Sequence, residues 1–371
     1  MIPAGVRRAV FPLLLSLMLL PAACQRQVEE VRPTIPLVRD ILSGRLEQSA
    51  DLLRGKAPRP ALDIALIGTE FACDQLAEQF SFRDDQDNVD ARYRGDGLPD
   101  FAGETFVCIE DSVRYASILA ESGEEELRRQ TVLRVLAALD TVVHISPYDL
   151  EGMASKSSAK MVILADPFLA EYGGFDVDTL LRSMGCSVPV VNPAELMMDR
   201  AFDEAGRADL SVAILCDPQF KDSGIYERIF ARKASERGLP GATCVVAGVE
   251  RRDSVLRHFL SEYLEAGNTR PLDAILIDDF SVRPDSLKAE LAEVVSVMNK
   301  SSMTYGRLIP KEFFFLSAFE ELSECCYGFL RKNNLFTHNI ANPRVSIFRP
   351  VNRPDADDGS IILIPGSYVQ N

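Results

Sequence analysis

Three apolar runs of this chain stop at carboxylates: "KMVILADP" ends in Asp166-Pro167, "LSVAILCDP" in Asp217-Pro218 and "LDAILIDD" in Asp278-Asp279. Acids in such places have two uses. An aspartate before a proline is a helix N-cap, because its side chain accepts an unpaired backbone N–H and proline needs no N–H at the first helical position. Gathered at one edge of a fold, the same acids bind cations, accept hydrogen bonds from hydroxyls or move protons. Asn192-Pro193-Ala194-Glu195 carries the cap pattern as well, with Glu195 spaced for a capping box.

The elements that hold these acids follow from the apolar pattern. Short runs of aliphatic residues bounded by turn residues are what strands buried on both faces look like. A first series comprises "DIALIGT" (63–69), "TVVHISP" (141–147), "KMVILAD" (160–166) and "SVPVVN" (187–192), with helical spacing between and a helical reading over 106–140. A second comprises "SVAILCD" (211–217), "ATCVVAGV" (242–249), "DAILIDD" (273–279) and "KEFFFLSAF" (311–319). Alternating strands and helices predict an α/β fold of two doubly wound, mainly parallel-sheet lobes, 61–205 and 206–371, facing a cleft. "RVSIFRPV" and "SIILIPG" flank the turn "NRPDADDG" (352–359) as a C-terminal antiparallel β hairpin that pads the second lobe or crosses back to the first. Residues 36–55 read as a helix leading into the first lobe.

In open parallel sheets the ligand crevice lies beyond the carboxyl ends of the strands, where helix N-termini present free N–H groups. The expected ligand-binding set is therefore Thr69-Glu70, Asp166, Tyr172-Gly173-Gly174, Asn192, Asp217, Ser223-Gly224, Tyr226 and Asp278-Asp279. The glycines allow close backbone approach and the tyrosines supply walls. Clustered carboxylates favour an amine or several hydroxyls, while helix N-termini accept an anion, so an amino-acid-like zwitterion or a polyhydroxylated molecule suits the set.

Other chemistries lack their markers. His144, His258 and His338 are scattered, and there is no G-x-S-x-G, P-loop or G-x-G-x-x-G. The aspartate-rich insert 81–100 reads as a loop; counted from Asp85, Val89 stands where an EF-hand needs an oxygen ligand. Neither a metal nor a cofactor is expected. Beside Cys24 there are seven cysteines and no C-x-x-C, and Cys216 and Cys244 lie in strand-like runs where a thiol serves as a small hydrophobe.

The amino terminus has the layout of an export signal: basic "MIPAGVRR", apolar "AVFPLLLSLMLL" (9–20), then "PAAC" (21–24). The apolar run is too short to span a bilayer, which takes about 20 residues. Loss of 1–23 removes Arg7 and Arg8 and no acid, taking the formal charge from −15 to −17. So acidic a body argues against nucleic acid as a partner and against direct adhesion to anionic lipid.

Three resemblances follow from these residues. "PAAC" resembles the lipobox of bacterial lipoproteins, with Pro21 where leucine is usual. It implies that Cys24 carries the acyl (palmitate) anchor, that 24–60 forms tether and leading helix, and that the lobes stand outside the cytoplasm, membrane-bound in the cell envelope. The two-lobed series resembles the periplasmic-binding-protein-like fold of solute-binding proteins, which implies a small polar ligand, no catalytic residue, and a transporter or other envelope protein as partner. The stretch 160–285, through "MVILADP", "VPVVNPAELM", "VAILCDP", "DSGIYERIF" and "AILIDDF", resembles the aspartate/glutamate racemase group. That group removes and returns a proton with one cysteine in each lobe; here the corresponding turns carry Asp166 and Asp278-Asp279. Solute binding is the leading expectation, with a racemase-like enzyme on amino acids and a partner-docking lipoprotein with a vestigial cleft as alternatives.

Overall fold

Alternate residues of each apolar run enter different cores, which is what makes the runs strands rather than helices. In β1 (Asp63–Thr69), Ala65 and Ile67 pack on one side and Ile64 and Leu66 on the other. The computed structural model describes residues 32–90, 92–250, 254–298, 307–310, 312–337, 339–355 and 359–366. The expected signal segment and Cys24 lie outside the described residues. Residues 34–371 form one compact unit, and among the described residues no helix is long and apolar enough to cross a membrane.

Two parallel sheets organise that unit. The first has the order β12-β11-β2-β1-β5-β6, built from β1, β2 (Thr105–Asp111), β5 (Ala159–Leu164), β6 (Val190–Val191), β11 (Arg344–Asn352) and β12 (Ile361–Pro365). Only the β11–β12 pair in it is antiparallel. The second runs β10-β9-β7-β8, all parallel, from β7 (Ser211–Cys216), β8 (Thr243–Gly248), β9 (Ala274–Asp278) and β10 (Phe314–Ser317). Helices α3 (Glu70–Phe82), α4 (Tyr115–Leu139), α5 (Gly174–Ser183), α6 (Pro193–Ala205), α7 (Ile225–Glu236), α8 (Val255–Glu265), α9 (Pro284–Met298) and α10 (Ala318–Lys332) fill the connections.

Between the sheets the two lobes share one core. It contains Ile67, Val107 and Leu164 of the first sheet together with Val212, Ile214 and Leu276 of the second. A second core lies under α3 and α10 on the far side of the first sheet, and a third under α8 and α9 on the far side of the second. Helix α7 adds a ladder of charge in two i,i+4 pairs, 228/232 and 233/237. Arg228 and Arg232 meet Glu171 at 2.9 and 2.8 Å, Lys233 meets Asp199 at 2.9 Å, and Arg237 meets Asp199 at 2.7 Å.

Several local expectations change. The stretch 106–140 is not helical throughout: "TFVCIED" forms β2 at the middle of the first sheet, because Phe106 and Cys108 feed one core and Val107 and Ile109 the other. An apolar run this short gives no usable period. Residues 142–146 form β3, which leaves the main sheet and pairs antiparallel with β4 (Asp149–Ser155) in a hairpin whose strands bury only Val143. The leading helix is two, α1 (Pro36–Leu42) and α2 (Glu47–Leu53), with Gly44 in the left-handed region between them. The tail crosses back: α10 packs in the core under the first sheet, and β11 pairs with β2. Residues 318–366 thus complete the first lobe rather than the second.

Candidate functional site

Carboxyl ends of strands from the two sheets converge on one cleft. Thr69 ends β1 in register with Asp111 at the end of β2. Asp166 lies two residues past β5, Asp217 follows β7, and Asp278, the last residue of β9, is in register with Cys216. Three of the acids share a local device in which one side-chain oxygen accepts the N–H two residues on: Phe168 to Asp166, Gln219 to Asp217 and Ser281 to Asp279, each at 2.9 Å. The cap reading therefore holds for Asp166 and Asp217, while Asp279 closes a turn ahead of α9, and each side chain has a second oxygen beyond the one this bond uses.

The bottom of the cleft is a cavity of about 30 Å³, space for about two waters. Thr69, Asp166, Asp217, Tyr226, Asp278 and Asp279 line it, together with Phe71, Gln219, Phe220 and Phe280. Among the described residues no cationic side chain lines it. Further out, a space of about 230 Å³ shares Thr69, Asp166 and Gln219 with it and adds Arg114, Tyr115 and Ser117. A third, of about 390 Å³, is bounded by Glu70, Asp111, Arg114 and Asp217. Glu70 also meets Arg349 at 3.7 Å.

Burial sets the electrostatics. Asp166 is 3% exposed and Asp278 8%. Burial pushes the Asp166 carboxyl up to about 7, against the Phe168 N–H and with the charges of Asp278 and Asp111 adding to the rise. Burial likewise takes Asp278 to about 7; the Tyr226 hydroxyl, which donates to it at 2.8 Å, opposes the rise, and Asp279 adds to it. Near neutrality both acids are divided between charged and neutral forms, able to accept from an amine or to donate to an oxygen. Asp111 differs: Arg134 grips both its oxygens at 2.6 Å and the Tyr115 hydroxyl donates to it. Cys216 is buried and its thiol is raised by burial and then by the neighbouring acids, so the thiolate is disfavoured. Among the described residues no group of three or more His, Cys, Asp or Glu side chains is placed to hold a metal ion.

The other expected residues have structural positions outside the lining of these cavities. Tyr172 is stacked on Phe168, their ring centroids 6.1 Å apart, and lies under the Arg228 guanidinium at 4.8 Å, in the contact between the lobes. Gly173 sits where a Cβ would come within 2.3 Å of Thr131, so packing demands the glycine, and Gly174 opens α5. Asn192 caps α6 through the Glu195 N–H at 3.0 Å and donates to the Leu164 carbonyl. Ser223 bonds the Phe220 carbonyl in the turn before α7, where Gly224 has φ +71°. In the insert, Asp84, Asp87, Asp96 and Asp100 spend oxygens on the loop's own amides.

Arg114, Asp111 and Tyr115 were not foreseen. Their signal was "FVCIEDSVRY", an apolar run ending in aspartate as the other three do, hidden inside a stretch read as helix.

No protein-family model matches the chain, and no curated protein matches its sequence. Solved structures with a similar path include glutamate racemase isoform RacE1 from Bacillus anthracis, at 12% identity and TM-score 0.46, covering 78% of this chain and 89% of that one. Glutamate racemase from Francisella tularensis, in complex with D-glutamate, gives 12% and 0.45 over 78% and 88%. A LacI family transcription regulator from Clostridium acetobutylicum gives 13% and 0.28 over 82% and 99%. At these identities and scores the chain's own residues, not its neighbours, carry the functional argument.

Proposed function

We propose that this protein binds a small polar ligand bearing an amine, amino-acid-like rather than purely anionic, in the cleft between its two sheets. One observation carries the reading: Asp166, Asp217, Asp278 and Asp279 meet around a cavity with no cation in its lining among the described residues, while Arg114 stands further out. An ammonium group at the floor relieves the repulsion among the acids, and a carboxylate directed outward meets Arg114. The pattern at residues 1–24 supports an envelope-facing lipoprotein held through Cys24, with the ligand taken up outside the cytoplasm.

Calorimetry against a panel of amino acids, diamines and polyols tests the ligand class. An amine binds the ionised acids, so affinity rises as pH rises through about 7, and Asp278→Asn weakens it tenfold or more. A ligand that binds equally well to Asp278→Asn and Asp217→Asn would defeat the reading. For the anchor, Cys24→Ala should move the protein from the membrane to the soluble fraction, and continued membrane retention would count against lipidation.

A second reading has one observation in its favour. Asp166 from the first lobe and Asp278 from the second have both been moved to about 7, where a carboxyl pair serves as acid and base on two sides of a substrate. Racemase-like proton transfer would then need no thiolate pair. Incubation with L- or D-aspartate and glutamate in deuterated water, followed by NMR, decides: α-proton exchange lost in Asp166→Asn favours the enzyme, and no exchange leaves the binder.

A further inference from the structure

Two-lobed binding proteins admit ligands most simply by swinging the lobes apart. Here that motion is obstructed, because the facing layers of the two sheets form a single core and the α7 ladder ties α7 to Glu171 and Asp199 of the first lobe. Yet Asp166, Asp278 and Asp279 on the cavity floor are buried and only Asp217 is half-buried, so a ligand needs a way in that leaves the lobes together.

Helix α4 provides one. Its residues Tyr115, Ser117 and Ala120 bound the outer space of the cleft, as does Phe220 of the other lobe. The helix is broken at Gly123, where φ is 85° and ψ 176°, a region open essentially to glycine alone. A Cβ at Gly123 would meet nothing within 4 Å, so the glycine is required by the backbone and not by space. The break separates two different pieces. From Leu127 onward α4 is built into the shared core, whereas of residues 115–122 only Tyr115 is a buried member of it, Ala116, Ile118 and Leu119 rest half-buried against it, and 120–122 are exposed. Tyr115 is also the tether, through its hydroxyl to the Asp111–Arg134 pair.

We propose that residues 115–122 form a lid over the acidic cleft, pivoting at Gly123 and latched by the Tyr115 hydroxyl on Asp111. A lid presupposes that the cleft takes a ligand, as proposed above, but its motion is measurable in the free protein and fails or succeeds independently of any ligand assay. Tyr115→Phe removes the latch and keeps the ring, with Asp111 still held by Arg134.

Two measurements on the full chain test this. In hydrogen exchange, amides 119–122 should exchange at least tenfold faster than 127–139, and Tyr115→Phe should speed 119–122 by about a further tenfold while leaving 127–139 and α7 unchanged. The sequence contains no tryptophan, so Phe220→Trp places a single indole in the cleft as a reporter for acrylamide. Adding Tyr115→Phe should raise its quenching constant two- to threefold, and adding Arg232→Ala, which loosens the ladder, should not. If Arg232→Ala raises quenching and Tyr115→Phe does not, the lobes hinge and the lid is wrong. Equal protection of 119–122 and 127–139 would overturn it as well.

Discussion

The two ends of the first sheet bury charge in opposite ways. At the amino end, Lys160 and Glu104 are 0% and 1% exposed and meet at 2.6 Å. Backbone groups take their remaining capacity: Lys160 donates to the carbonyls of Pro60 and Leu335, and the Thr337 N–H donates to Glu104. Burial raises Glu104 and lowers Lys160, and each charge counters that effect in the other. At the carboxyl end, Asp166 and Asp278 are almost as deep, but other acids are their charged neighbours. The first arrangement fastens the chain after α10 to the sheet. The second costs the fold stability, and a fold keeps such a cost where binding or chemistry uses it.

Breaking the paired end should have the largest effect. Lys160→Met strands Glu104 as a buried lone charge, so unfolding in urea should show a loss of about 3–5 kcal/mol, and adding Glu104→Gln should recover much of it.

The unpaired end should respond with the opposite sign. The folded pKa of Asp278 lies above its unfolded value, so the folded state holds a proton that the unfolded chain has released between about 4 and 7. The contribution of this group to stability is fully present below about 4 and falls as pH rises to about 7. Asp278→Asn should therefore stabilise the free protein at pH 8 by a few kcal/mol, at about 1.4 kcal/mol per unit, and leave it unchanged near pH 4. Thermal melts across that range check the sign.

A smaller effect is expected where a buried acid is paired with partly exposed cations. Glu171→Gln removes the acid shared by Arg228 and Arg232 and should cost about 1 kcal/mol or less, reduced further by salt. Smallest is the separation of cap from charge. Asp217→Ala should cost about 1 kcal/mol in denaturant titration, and Asp217→Asn only a few tenths, because the amide oxygen still accepts the Gln219 N–H.

Much of the framework was readable because strand and cap signals are local. Asp166, Asp217 and Asn192 announced where strands stop and helices start, and all three caps are made. The site was readable only in part, for a related reason: a strand-end residue faces the crevice only if its strand is neighbour to the others that form it. Thr69, Asp166, Asp217 and Asp278 satisfy that condition, and Tyr226 reaches the same cavity from the first turn of α7, while Asn192 follows β6 at the sheet edge and turns its side chain to Leu164. Tyr172 and Gly173, though in a glycine-bearing turn, are taken up by packing between the lobes. Asp111 and Arg114 were missed because β2 is too short for its period to be told from that of a helix.

The sequence alone determined the repeated strand-to-helix units, their aspartate endings and the acidic balance of the chain, since propensity, capping and charge are properties of neighbouring residues. Only the tertiary structure decided that β2 and β11 insert the tail into the first sheet, that one core joins both sheets, and that Lys160 finds Glu104 while Asp166 and Asp278 find no cation among the described residues. Those outcomes depend on which distant segments share a low-dielectric interior, and the energy of a buried charge is set by that company rather than by its place in the chain.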